Sequence, residues 1–275
     1  MVVDTLSQPK LSSHAHTEAG WILTGQLAKV RGCAILCDAS MRQAKSLIPE
    51  LLDKLEKFYG KQEPCWPVDP YEFIVWWQCG YPASDAVCTK GWDKLKSEIG
   101  IEPQNLLATT TRQVALTLKR GGMLPELRAV RLMETAMRVR DQFGGDLRAA
   151  LTGPLSAARK TLKTFPGIAD PGADRILLFA GIAPIAAVPS NATQVLVRVL
   201  NGQESENYVA NYRQAQQAIE AGVLKTFDAR TRAYLLVKHH GQEICKRTRP
   251  KCEECPVSAN CAYFAGQRVG SESRF

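Results

Sequence analysis

The 275-residue sequence has no run of about 18 uninterrupted apolar residues, and Met1 is not followed by a basic patch and an apolar stretch, so neither a membrane span nor a secretory signal is expected. Alternating strand patterns, repeats of solenoid length and low-complexity runs are also missing. What remains is ordinary globular material, 45% hydrophobic and 23% charged, with a mean hydropathy of −0.17. That leaves enough apolar residues for a real core and makes a disordered or fibrous chain a poor fit. The expected setting is intracellular, cytoplasmic or nucleoid-associated. Acidic residues are in the minority, 27 Asp+Glu against 35 Lys+Arg, for a formal net charge of +8. With a pI near 9.0, a polyanionic partner suits this balance.

An extracellular disulfide framework is also unsupported. The nine cysteines are odd in number and unevenly placed, which fits a reducing compartment better. Cys33, Cys37, Cys65, Cys79 and Cys88 are scattered and read as buried or incidental thiols. Cys245, Cys252, Cys255 and Cys261 crowd the end of the chain with the spacing Cys-x6-Cys-x2-Cys-x5-Cys. Four thiolates on short loops are what Zn²⁺ or an iron–sulfur cluster requires. Structural zinc usually shows two Cys-x2–4-Cys knuckles, whereas only one x2 pair exists here and Pro256 directly follows Cys255. A [4Fe–4S] cluster is therefore expected, with zinc as the alternative. Lys246, Arg247, Arg249 and Lys251, between the first two cysteines, are expected to lower the thiol pKa values and offset the site's negative charge.

Residues 1–40 carry few periodic apolar positions and are expected to be a partly disordered extension. From Met41 to Tyr59 the residues Leu47, Ile48, Leu51, Leu52, Leu55 and Phe58 form one helical stripe that Gly60 ends. Beyond a Pro-rich loop the pattern predicts helices near 70–79, 84–99, 103–108, 110–120, 125–143, 154–164, 172–182, 190–201, 206–221 and 229–245, separated by Gly and Pro breakers. The class is all-α.

The cysteine spacing, following a helix over Arg230 to Ile244, resembles the cluster loop of the endonuclease III and adenine glycosylase branch of the helix-hairpin-helix DNA glycosylases. The stretch Leu162-Lys163-Thr164-Phe165-Pro166-Gly167-Ile168-Ala169-Asp170-Pro171 resembles that family's hairpin. Such a turn points backbone N–H groups outward at the positive end of a helix, where they grip phosphate without reading a base. The resemblance implies phosphate contacts at Gly167, Ala169, Lys246, Arg247, Arg249 and Lys251, with the cluster on Cys245, Cys252, Cys255 and Cys261. It implies a two-lobed fold, with a six-helix lobe over 70–186 and a second lobe from 41–69 and 187–275. The partner implied is double-stranded DNA, damaged or abasic, bound by a monomer with no membrane contact.

Three positions depart from the family pattern. Ala169 stands where a second hairpin glycine is usual. Pro171 stands where bifunctional members carry a nucleophilic lysine, and with Asp170 as N-cap it is expected simply to start the helix. Pro189 stands where an aspartate is usual. Its neighbours Ser190 and Asn191 cannot act as carboxylates, and no Asp or Glu lies between Asp174 and Glu204. The remaining polar candidates for chemistry are Asp170, Asp174, Asn191, Tyr81 and Asp85. Trp76 and Trp77, in the segment Tyr71 to Asp85, are expected mainly in the core, with base stacking as the functional alternative. The function expected is that of a base-excision-repair protein similar to endonuclease III, a DNA glycosylase or abasic-site lyase of atypical or weak activity. The alternative is a non-catalytic module that senses lesions or unusual DNA structure.

Overall fold

A computed structural model of the chain describes residues 44–272, with side chains as far as Arg268. The extension over 1–40, Cys33, Cys37 and the expected helix start at Met41 lie outside the described residues. The described residues are helical and contain no strand, so the all-α expectation holds.

The first helix, α1 (44–59), buries Ala44, Ile48, Leu51, Leu52 and Leu55. Phe58 departs from the expected stripe and is 55% exposed. Tyr59 takes the inward place instead, because its hydroxyl reaches His240 Nδ1 at 2.9 Å and its ring packs edge-on against His239. Helix α2 (Pro70–Gln78) starts on Asp69, whose carboxylate accepts from the amides of Tyr71 and Glu72, with proline at the first helical position. Trp76 and Trp77 of this helix are buried and belong to the core, and Trp77 also borders a cleft. There follow α3 (Asp85–Glu98), α4 (Pro103–Leu107), α5 (Thr111–Thr117), α6 (Pro125–Phe143), α7 (Leu147–Ala150), α8 (Leu155–Leu162) and α9 (Asp170–Phe179). An irregular segment leads to α10 (Thr193–Asn201), which starts three residues later than its pattern predicts. The chain ends with α11 (Tyr208–Gly222), α12 (Phe227–Glu243), two 3₁₀ turns and α13 (Ala262–Glu272).

Two hydrophobic cores organise these helices. One joins α2 to α9 around Phe73, Trp76, Leu132, Leu162 and Phe165 and is completed by Trp66 and by Tyr234 and Leu235 of α12. The other packs α1 against α10, α11 and α12 through residues such as Ile48, Leu55, Leu196 and Leu236. Burying apolar area in this way supplies the main favourable free energy of folding, about 25 cal/mol per Å². Helix α12 contributes to both cores, and Gly241 lets it come close to α10: a Cβ there would lie 2.7 Å from Ala192 Cβ.

Candidate nucleic-acid interface and thiol cavity

The hairpin joins α8 to α9. Gly167 adopts φ +73°, a left-handed conformation that favours glycine. Its turn is fixed by Ile168 N–H donating to Phe165 O at 3.2 Å and by Gln78 Nε2 donating to Pro166 O. The amides of Gly167 and Ala169 donate to no acceptor among the described residues, and α9 follows directly. Ala169 sits in extended backbone, φ −105° and ψ −175°, so the missing second glycine imposes no strain here. Asp170 is not the side-chain cap expected of it. It is the first residue of α9, and its carboxylate pairs with Lys163 at 2.6 Å. The geometric cap is Ala169, which has no side chain able to bond the helix amides.

A cleft of about 330 Å³ opens beside the start of α9. The segment from Trp77 to Asp85 forms one wall, Pro171, Gly172 and Arg175 of α9 another, and Ser190 and Asn191 a third. Tyr234, Lys238 and Gln242 of α12 close it; at four-residue intervals they share one helix face. Tyr81, Asp85 and Asn191 are thus brought together. Asp170 and Asp174 are not among the lining residues. Asp174 is 1% exposed and faces away, accepting from Arg159 Nε at 2.7 Å, Tyr212 Oη at 3.1 Å and Gln216 Nε2 at 2.8 Å. Trp77 stacks on Tyr81 with ring centroids 3.9 Å apart. Tyr208 of α11 stands near both Tyr81 and Arg247. Burial raises its phenol pKa, Tyr81 adds to the rise and Arg247 opposes it.

The four terminal cysteines line a second, smaller cavity of about 20 Å³, walled by α10, the end of α12 and the start of α13. Among the described residues no three Cys, His, Asp or Glu side chains converge tightly enough to hold one metal ion. Burial pushes the Cys245 thiol up to about 11 against the opposing pull of Arg198, and it raises Cys252 and Cys255 as well. This reverses the expected lowering by the basic loop. The loop's side chains are exposed and well solvated, whereas the thiols are withdrawn from water.

Arg198 is one of the residues to which sequence reasoning gave no role. It is 5% exposed and donates to Lys246 O at 2.8 Å and Arg247 O at 2.9 Å. It also pairs with Glu204 at 2.7 Å and lies over the Tyr263 ring at 4.8 Å. The signal available was a lone arginine within the apolar run Val195 to Leu200. His240 bridges the other side, between Tyr59 and Cys255 Sγ; burial lowers its pKa to about 4, so it is neutral near pH 7. Above the cavity, Lys246 and Arg249 make no ion pair with the described residues, while Arg247 and Lys251 pair loosely with Glu204 and Glu254.

No protein-family model matches the sequence. The thymine/uracil-DNA glycosylase of Methanothermobacter thermautotrophicus is 24% identical over 164 residues, 58% of this chain and 67% of that protein. The thymine-DNA glycosylase of Aeropyrum pernix is 25% identical over 137 residues, 50% of this chain and 58% of that protein. A solved structure of a thermostable thymine-DNA glycosylase superposes with a TM-score of 0.65 at 21% identity, and a trapped endonuclease III–DNA covalent intermediate with 0.65 at 17%. Each covers 82% of this chain and 98% of the other. The chain has the helix-hairpin-helix DNA glycosylase fold.

Within that fold, residues at or beside the positions that depart from the family pattern line the cleft. Pro171 lines the cleft and offers no amine. Ser190 and Asn191 also line it, and neither offers a carboxylate. Lys238 and Arg175 do line it, although sequence reasoning gave neither a role. Cys65, expected to be a buried or incidental thiol, is exposed, while Cys79 and Cys88 are buried. No helix among the described residues is long and apolar enough to cross a membrane.

Proposed function

We propose that this chain is a DNA-repair protein of the glycosylase kind, which binds damaged or abasic duplex DNA and acts in the cleft beside the hairpin. The observation that carries this reading is the placement of the hairpin. The amides of Gly167 and Ala169 lie unclaimed at the start of α9, and the next residues, Pro171 and Gly172, already line the cleft. A phosphate gripped there would set its nucleotide at the cleft mouth. DNA would cross the groove between the two cores, held also by Lys246, Arg247, Arg249 and Lys251. A base turned out of the duplex would meet Tyr81, Asp85 and Asn191.

The thiol cavity suits a [4Fe–4S] cluster on Cys245, Cys252, Cys255 and Cys261. The donor set is all sulfur, the four thiols line one cavity, and the buried Arg198 supplies positive charge beside them. Such a cluster would fix the basic loop in place, and binding it would expel the thiol protons. A second reading, a non-catalytic lesion-binding module, is favoured by Pro171 and by the want of a carboxylate around Ser190 and Asn191.

The test uses anaerobically purified full-length protein and duplexes bearing damaged bases or one abasic site. Brown protein containing iron and sulfide, tight binding to some of these duplexes, and release of base or strand cleavage are expected. Binding without any product across the panel would favour the module. Zinc in place of iron, without the brown absorbance, would remove the cluster.

A further inference from the structure

The hairpin helix offers no amine, yet the cleft contains one. Lys238 is 6% exposed. Its Nζ donates to Asp85 Oδ2 and lies 5.5 Å from the Trp66 ring centroid. Against the same ring, at 3.8 Å, lies the guanidinium of Arg175. Arg175 is 4% exposed, and its Nε and Nη2 find no hydrogen-bond partner among the described residues. All three side chains line the cleft. A buried cation with two unclaimed N–H groups is costly unless an acceptor completes it, and a planar guanidinium matches phosphate or carboxylate oxygens. An amine, a carboxylate and an anion-seeking guanidinium side by side suit a carbonyl compound flanked by phosphate. The abasic deoxyribose of DNA, in its ring-opened aldehyde form, is such a compound.

We propose that Lys238 is the catalytic amine of this cleft, with Asp85 as its proton carrier and Arg175 holding a phosphate of the abasic nucleotide. The proposal rests on the DNA reading above. The Lys238 ammonium passes a proton to the Asp85 carboxylate, and its freed lone pair forms a C–N bond at C1′ while the carbonyl electron pair moves onto oxygen. A proton shifts from nitrogen to that oxygen. Asp85 then returns its own proton, the hydroxyl leaves as water, and a protonated imine remains. The Asp85 carboxylate next removes a proton from C2′, and the C3′–O bond breaks with its electron pair leaving on the phosphate. Asp85 passes the C2′ proton on to the departing phosphate, and water hydrolyses the conjugated imine to the unsaturated aldehyde and restores the lysine ammonium. Atoms and charge balance with water as the only co-reactant.

Full-length, cluster-loaded protein is incubated with a duplex containing one abasic site in the presence of cyanoborohydride, which reduces an imine to a stable amine. Binding is read separately by fluorescence anisotropy. The expected result is a covalent adduct that peptide mapping assigns to Lys238. Lys238→Arg, which keeps a cation for Asp85, should bind the abasic duplex and form no adduct at position 238. Asp85→Asn should slow adduct formation about a hundredfold. An adduct on another lysine or on the N-terminal amine, or tight binding with no adduct at all, overturns the assignment. Mapping on the unaltered protein decides the matter even if a variant fails to fold. Absence of binding to both abasic and intact duplex instead overturns the DNA reading, and this assignment falls with it.

Discussion

Asp174 ties the two hydrophobic cores together, accepting from Arg159 of α8 on one side and from Tyr212 and Gln216 of α11 on the other. Removing this buried carboxylate leaves the Tyr212 hydroxyl and the Gln216 amide without their acceptor, while the Arg159 side chain, 35% exposed, can turn to water. Asp174→Ala should therefore cost about 2 kcal/mol of stability, read by urea unfolding. Burial raises the Asp174 carboxyl pKa against the opposing pull of Arg159 and Tyr212. The folded state then holds this proton more tightly than the unfolded one. Its contribution is complete below the unfolded value, about 4, and is lost as pH rises through the folded value. Asp174→Asn cannot titrate, so the stability of the native protein relative to that variant should fall as pH rises through this window. A difference independent of pH would contradict the shift.

At the scale of elements, α12 connects the two sites. Tyr234, Lys238 and Gln242 face the cleft, while His240, on another side, reaches the thiol cavity and leads to Cys245. The loop after it has little regular structure, only two short 3₁₀ turns, so its shape depends on outside partners. Arg198 supplies them by holding the Lys246 and Arg247 carbonyls. Arg198→Met keeps the length of the side chain and removes those donors. It should lower the iron bound per chain and open the loop to protease between Lys246 and Lys251. Wild-type iron content and protease resistance in this variant would show that the loop holds its own shape.

At the scale of the molecule, the net charge of +8 matters through its distribution. Lys246 and Arg249 have no internal counter-charge among the described residues, and the pairings of Arg247 and Lys251 are long and exposed. Such pairs contribute little and are readily exchanged for phosphate. Neutralising all four should weaken binding alike for every DNA sequence and reduce the slope of log affinity against log salt by about 0.9 for each phosphate no longer neutralised. An unchanged slope would exclude this loop from binding the DNA backbone.

Helix content was legible because it follows from local periodicity: the apolar spacing of 44–59, the breakers between helices and the capping Asp69 act over a few residues. The hairpin and the four-cysteine spacing were legible for the same reason, being contiguous in sequence. The cleft was not, since it joins the loop after α2, the start of α9, the residues before α10 and one face of α12. Lys238 looked like one lysine at the end of an apolar run, and it gained Asp85 as a partner only when residues 153 positions apart were brought together. Asp174 and Arg198 changed meaning in the same way. Sequence supplied their charge, but the direction each faced, and hence which groups it could satisfy, was set by how the two cores pack. The amino-acid order alone determined the helices, the hairpin and the thiol spacing. Tertiary packing decided which charged groups are buried and paired, because the cost of burying a charge depends on partners distant in sequence.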